Sequence, residues 1–165
     1  MEIVQGLLRV KRIREELRQR ELSRARQELD LAARELLEQQ QRQRDRQLER
    51  EQRESSLYAD VMSRVVVPRE LDDLHWEIKA MAQQAQDDAQ AVEQAQQQRD
   101  QQREAVSAAS QAWRAAARSR DKFLDLQRRE LAQRALDEEA QADAELEDRP
   151  HHRPGGELAA AHGEG

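Results

Sequence analysis

The sequence predicts an all-α protein, a long two-helix antiparallel coiled-coil hairpin with a flexible C-terminal tail. Three observations carry this. Between Leu7 and Arg149 the chain has no glycine and a single proline, Pro68, so the residues that most often end or break a helix meet the chain at one internal place. The chain is also rich in Ala, Gln, Glu, Arg and Leu, most of which enter a helix at little cost. Apolar residues then recur every three or four positions through a background of Gln, Asp and Arg, which is the heptad signature of a coiled-coil seam. Charged residues make up 38% of the chain and aromatic ones 2%. That is too few large apolar groups for a globular core, and without the period it would suit disorder.

The first helix is expected over about residues 3–65. Ile3, Val10 and Leu17 are spaced by sevens, as are Leu22, Leu29 and Leu36, with Ala25 and Ala32 between them. The five-residue step from Leu17 to Leu22 breaks a strict heptad and should alter the supercoil there. From Gln39 to Ser56 only Leu48 and no other large apolar residue appears; Leu57, Tyr58, Val61, Met62 and Val65 then resume the stripe. Ser55-Ser56 offers a cap for a restarted helix, and with it a kink.

The turn is placed at about residues 66–68 and the second helix at about 69–147, with Pro68 suited to its first turn and Glu70, Asp72 and Asp73 to its positive end. Its seam is the clearer of the two. Leu71, Leu74, Ile78, Met81, Ala85, Asp88, Val92, Ala95, Arg99, Gln102, Val106, Ala109, Trp113, Ala116, Arg120 and Phe123 follow alternating steps of three and four, and twelve of these sixteen are apolar. After Phe123 the stripe is expected to slip by one residue, through Leu124 and Leu131 towards Leu136.

Folding back near residue 67 sets facing residue numbers to sum to roughly 134. At 1.5 Å per residue the helices measure about 95 and nearly 120 Å, so the second overhangs the N-terminus with an acidic tip, Asp137-Glu138-Glu139 through Glu147-Asp148. A thin midsection between two better-packed ends is expected. The hairpin domain is 1–148, and 149–165, with its Pro, Gly and His residues, reads as a disordered tail.

Little here belongs to catalysis. With no cysteine there is neither disulfide nor thiolate metal site. Gly155-Gly156 lacks the residues of a phosphate loop, His75 is the one histidine within the helices and reads as a solvated rim residue, and His151-His152 makes a weak metal site. No catalytic, cofactor-binding or metal-binding residue is assigned, and no enzyme is read. The N-terminus does not have the form of a signal peptide, and no stretch is long enough to span a bilayer, so a cytoplasmic protein, or one exported without a cleavable leader, is expected.

Charge is more telling. Residues 9–26 hold eight basic and three acidic groups, and residues 114–129 hold six and two. The hairpin lays these segments side by side, a net charge of +9 at one end of a chain that totals −6. Arg12, Arg14, Arg18, Arg118 and Lys122 are therefore candidates for a docking collar facing an acidic protein surface. A solvated face with i,i+4 pairs such as Arg12–Glu16 is the plainer alternative. Nucleic acid is disfavoured by the scarcity of stacking aromatics and the acidic tip alongside. At the turn, Leu71 and Leu74 are expected to close the hairpin, whereas Val66, Val67 and Trp76 are harder to bury in two helices and are candidates for a second contact.

Leu7-Leu8-Arg9-Val10-Lys11-Arg12-Ile13-Arg14 leading into an Arg/Glu/Ala/Leu helix, and Arg118-Ser119-Arg120-Asp121-Lys122-Phe123-Leu124-Asp125-Leu126 in the second helix, resemble the YscO/FliJ-like central-stalk proteins of type III secretion. The likeness runs to about residue 148. It implies a non-enzymatic stalk without cofactor or small-molecule substrate, peripheral to the inner-membrane secretion apparatus. The end bearing the termini would enter a hexameric secretion ATPase, and the other end would meet the cytoplasmic part of the export-gate membrane protein. Secretion chaperones are further implied partners. Two other classes fit the same residues: a generic dimeric coiled-coil scaffold or chaperone-type adaptor, and, less well, a nucleic-acid-binding coiled coil.

Overall fold

The computed structural model describes residues 2–149. Two helices, α1 (Glu2–Ser63) and α2 (Pro68–Glu147), run antiparallel against each other. The tail expected at 149–165, including His151-His152, lies outside the described residues apart from Arg149. α1 passes Ser55-Ser56 without a break, so the helix does not restart there; the two hydroxyls are exposed, and the surrounding Glu, Arg and Leu are good helix formers.

The turn is Arg64–Val67. Val67 is extended (φ −84°, ψ 153°), as a residue before proline must be, and Pro68, which has no amide hydrogen to satisfy, opens α2. The Glu70 amide donates to Val67 O at 3.0 Å, while the Glu70 carboxylate accepts from the Val67 amide at 3.1 Å. Arg64 donates from one side to Glu70 and from the other to Asp60, each at 3.0 Å. The Arg64 hydrogen bond first, and the Val67 amide second, hold the Glu70 carboxyl below the usual carboxylate range.

The expected register is observed. Arg46 meets Asp88 and Lys11 lies over the Phe123 ring, two pairs whose numbers each sum to 134. The seam of α1 is not the one expected near the N-terminus, however. Ile3 is 78% and Leu17 51% exposed, and Val10 is exposed with them, whereas Leu8 and Leu22 are each 4% exposed. Stepping back from Leu22 by heptads gives Arg18, Glu15, Lys11, Leu8 and Val4, of which Val4, Leu8, Lys11 and Glu15 are turned inward. The heptad is therefore unbroken, and no change of supercoil is needed at Leu17. A helix cannot swing its buried face by 100° between Leu17 and Leu22, so the frame of Leu22, Leu29 and Leu36 is imposed on the first five turns.

The same holds at the far end of α2. The seam from Leu74 to Phe123 is as expected, but it continues in strict register through Gln127, Glu130 and Arg134. The expected slip does not occur: Leu131 and Leu136 are exposed and Leu124 is half-buried at the seam's margin. Beyond Arg134 every residue of α2 is exposed, so the acidic overhang stands alone.

The buried apolar residues among those described are Leu8, Leu22, Ala32 and Leu36, all in α1 on the terminal side of Gln39. Across from them α2 offers Ala95, Ala109 and Ala116 at the seam, small enough for close approach of the helices. The turn half is looser than expected: Leu57, Val61, Leu74, Ile78 and Met81 are only half-buried, and Leu71, expected to close the hairpin, is exposed because α1 has ended opposite it. Between the halves, the α1 seam positions 39, 43, 46 and 50 are Gln, Gln, Arg and Arg. Little apolar surface leaves water there, so within the paired length local opening is easier in this stretch than in the leucine seam. In hydrogen-exchange mass spectrometry, amides of residues 39–54 are expected to exchange markedly faster than those of 22–36; equal protection would show that the polar seam is as stable as the leucine seam.

Candidate docking ends and the clamp between them

Several charged residues at or beside the seam are answered across the hairpin. Asp88, 8% exposed, accepts from Arg46 at 2.6 Å and Arg50 at 2.7 Å. The Arg50 side chain is itself 13% exposed, while that of Arg46 reaches into solvent. The hydrogen bond from Arg50 is the main cause, with Arg46 assisting, that holds the Asp88 carboxyl below its ordinary value against the opposing effect of burial. Arg53 donates to Glu77 at 2.7 Å nearer the turn. At the terminal end Arg120 joins Glu15 at 2.5 Å, and Lys11 stands 5.1 Å from the centre of the Phe123 ring. The ion pairs form a ladder of opposite charges along the rod, and the Lys11–Phe123 contact lies beside its terminal rung. Sequence reasoning placed Asp88 on the seam without giving it a partner; the signal was the arginine at position 46, which the fold-back register sets opposite.

The terminal end gathers the predicted collar. Arg12, Arg14, Arg18, Arg118 and Lys122 are all exposed, and the fold-back register brings Arg12 level with Lys122. Arg18 is partly engaged, donating to Glu21 at 2.8 Å. Lys11 and Arg120, counted with the basic residues of this end, are drawn into the seam instead. What remains is a fringe of guanidinium and ammonium groups around the rod, with the overhang beside it carrying seven carboxylates and no basic group between Asp137 and Asp148.

The turn end is apolar, as expected, but its membership differs. Trp76 is 65% exposed and has the Lys79 ammonium 5.2 Å from its ring centre; Val67 is exposed, whereas Val66 is half-buried. The most exposed groups are Val65, at 96%, and Met62. The sequence stripe placed both on α1; Met62 is there, on the outer side of its last turn, but α1 stops at Ser63 and leaves Val65 over the tip. His75 is exposed, in keeping with a rim residue.

Among the described residues no group of three or more His, Cys, Asp or Glu is disposed to hold a metal ion, and no helix is long and apolar enough to cross a membrane. The family model for type III secretion protein YscO matches residues 4–152. Among solved structures, type III secretion protein YscO from Vibrio parahaemolyticus is similar, with a TM-score of 0.82 and 23% identity over 90% of this chain and 93% of that one; at that identity the likeness is one of fold. No curated protein matches the chain.

Proposed function

Since the chain belongs to the YscO family of type III secretion proteins, we propose that it is a non-enzymatic stalk of the export apparatus, coupling a hexameric export ATPase to the cytoplasmic part of the membrane export gate. The observation that carries this reading is the division of surface between the ends: a basic fringe at the termini, exposed Val65, Val67 and Trp76 at the turn, and some 95 Å of two-stranded coiled coil between them. A coupling rod has to hold two partners at once, far apart and in fixed relation. The ATPase would be met by the collar at the terminal end and the gate by the turn, on the inner face of the membrane.

Reversing Arg12, Arg14, Arg118 and Lys122 to Glu changes only exposed side chains, so helicity should be unchanged while binding and stimulation of the secretion ATPase are lost. Wild-type binding should weaken with salt, because exposed charges are screened over about 10 Å at 0.1 M. Changing Val67 and Trp76 to Ser should release the export gate and leave ATPase binding intact, as read by pulldown from the source cell. Loss of both partners in either variant would mean that the ends are not separate sites, and the rod model would fall.

A further inference from the structure

α1 carries a second apolar face at the terminal end. At 100° per residue, Ile3, Gly6, Leu7, Val10, Ile13 and Leu17 fall within an arc of about 120°, turned away from the seam of Leu8, Lys11 and Glu15, and all six are exposed. Gly6 lies among the large side chains of this face. A Cβ added there would meet nothing within 4 Å, and no glycine among the described residues has positive φ, so neither packing nor backbone geometry within the hairpin calls for glycine. Glycine inside a helix lowers its stability relative to alanine. What glycine does offer is close approach of another backbone.

We infer that this face seats one amphipathic helix of a partner protein, its apolar stripe crossing over Gly6 and its flanks acidic. The flank chemistry follows from the charges around the face, which are basic on balance: Arg9 and Arg20 run along one side with Glu2 and Glu16 among them, Arg18 stands on the other, and Arg14 projects from within the face itself. The face is four turns long, about 21 Å, which suits a single short helix. The acidic overhang of a second copy has the right charge but too sparse a stripe: its large apolar groups are Leu136 and Leu146 alone, on one side of the helix but ten residues apart, against five on the face of α1. The inference rests on the terminal end being a docking end, and adds that the contact is a helix packed at close range rather than charge alone.

The test uses the full chain and the purified secretion ATPase as probe. Gly6→Ala should keep or raise helicity, since the added methyl enters open space, yet weaken binding about tenfold; Gly6→Leu should remove it. A gain in helicity accompanied by a loss of binding is an outcome that a merely structural glycine does not give. Wild-type affinity in Gly6→Leu, with binding still lost on reversing the collar, would overturn the helix face and leave the docking end standing. Wild-type affinity in both would overturn both. A Val10→Cys variant carrying a short crosslinker should attach to an acidic amphipathic helix of the ATPase, and attachment to a strand or loop overturns the choice of occupant. So does a concentration-dependent dimer that Gly6→Leu dissolves.

Discussion

Replacing Leu22 by Ala is expected to lower the unfolding free energy by about 3 kcal/mol, near the middle of the range for buried leucines, and replacing Leu17 by Ala by no more than about 0.5 kcal/mol. The two leucines are five residues apart on one helix, so helix propensity cannot separate them. Their burial does: Leu22 is 4% exposed and Leu17 51%. A rod two helices wide has little around a cavity to collapse into it, so the truncated Leu22 site stays partly open. Urea titration followed by circular dichroism measures both, as a shift in midpoint at constant slope. Equal losses would mean that the N-terminal seam runs through Ile3, Val10 and Leu17 after all.

Asp88→Ala is expected to cost about 2–3 kcal/mol, set against 3–5 for breaking a fully enclosed pair, because in so thin a rod solvent lies close to every seam atom. Most of that loss comes from Arg50, left enclosed without its carboxylate; Arg46 simply returns to water, and Arg46→Ala alone should cost under about 1 kcal/mol. Asp88→Leu combined with Arg50→Leu should recover or exceed wild-type stability, since apolar pairs commonly match buried ion pairs. The pH dependence follows from the direction of the Asp88 shift. Its folded carboxyl titrates below the ordinary value, which is about 3.9 for an unfolded Asp. The stability it contributes is therefore present in full above that value and is lost as pH falls through the lower folded value. Wild type and Asp88→Asn should differ most near neutrality and converge in strong acid; a difference independent of pH would show that the carboxylate charge is not what holds Arg50.

The existence, direction and pairing of the two helices were legible in the sequence, because each is decided within a few residues. One proline between long breaker-free stretches leaves a single place to turn, and the tight Arg64–Val67 link then sets every facing pair, down to Arg46 with Asp88. The charge at one end and the apolar groups at the other follow from that register alone, which is why the basic fringe could be named in advance.

Which of two overlapping stripes would be buried at the terminal end was decided only by the tertiary structure. Ile3, Val10 and Leu17 are the more apolar set, and local hydrophobicity favours them over Leu8, Lys11 and Glu15. The helix is one rigid body, however, and the leucines from Leu22 to Leu36 hold its orientation for the whole terminal half. Lys11 and Glu15 are acceptable in that seam because Phe123 and Arg120 wait across it, partners more than a hundred residues away in the chain. The apolar stripe so displaced, with Gly6 within it, becomes the surface left for another protein.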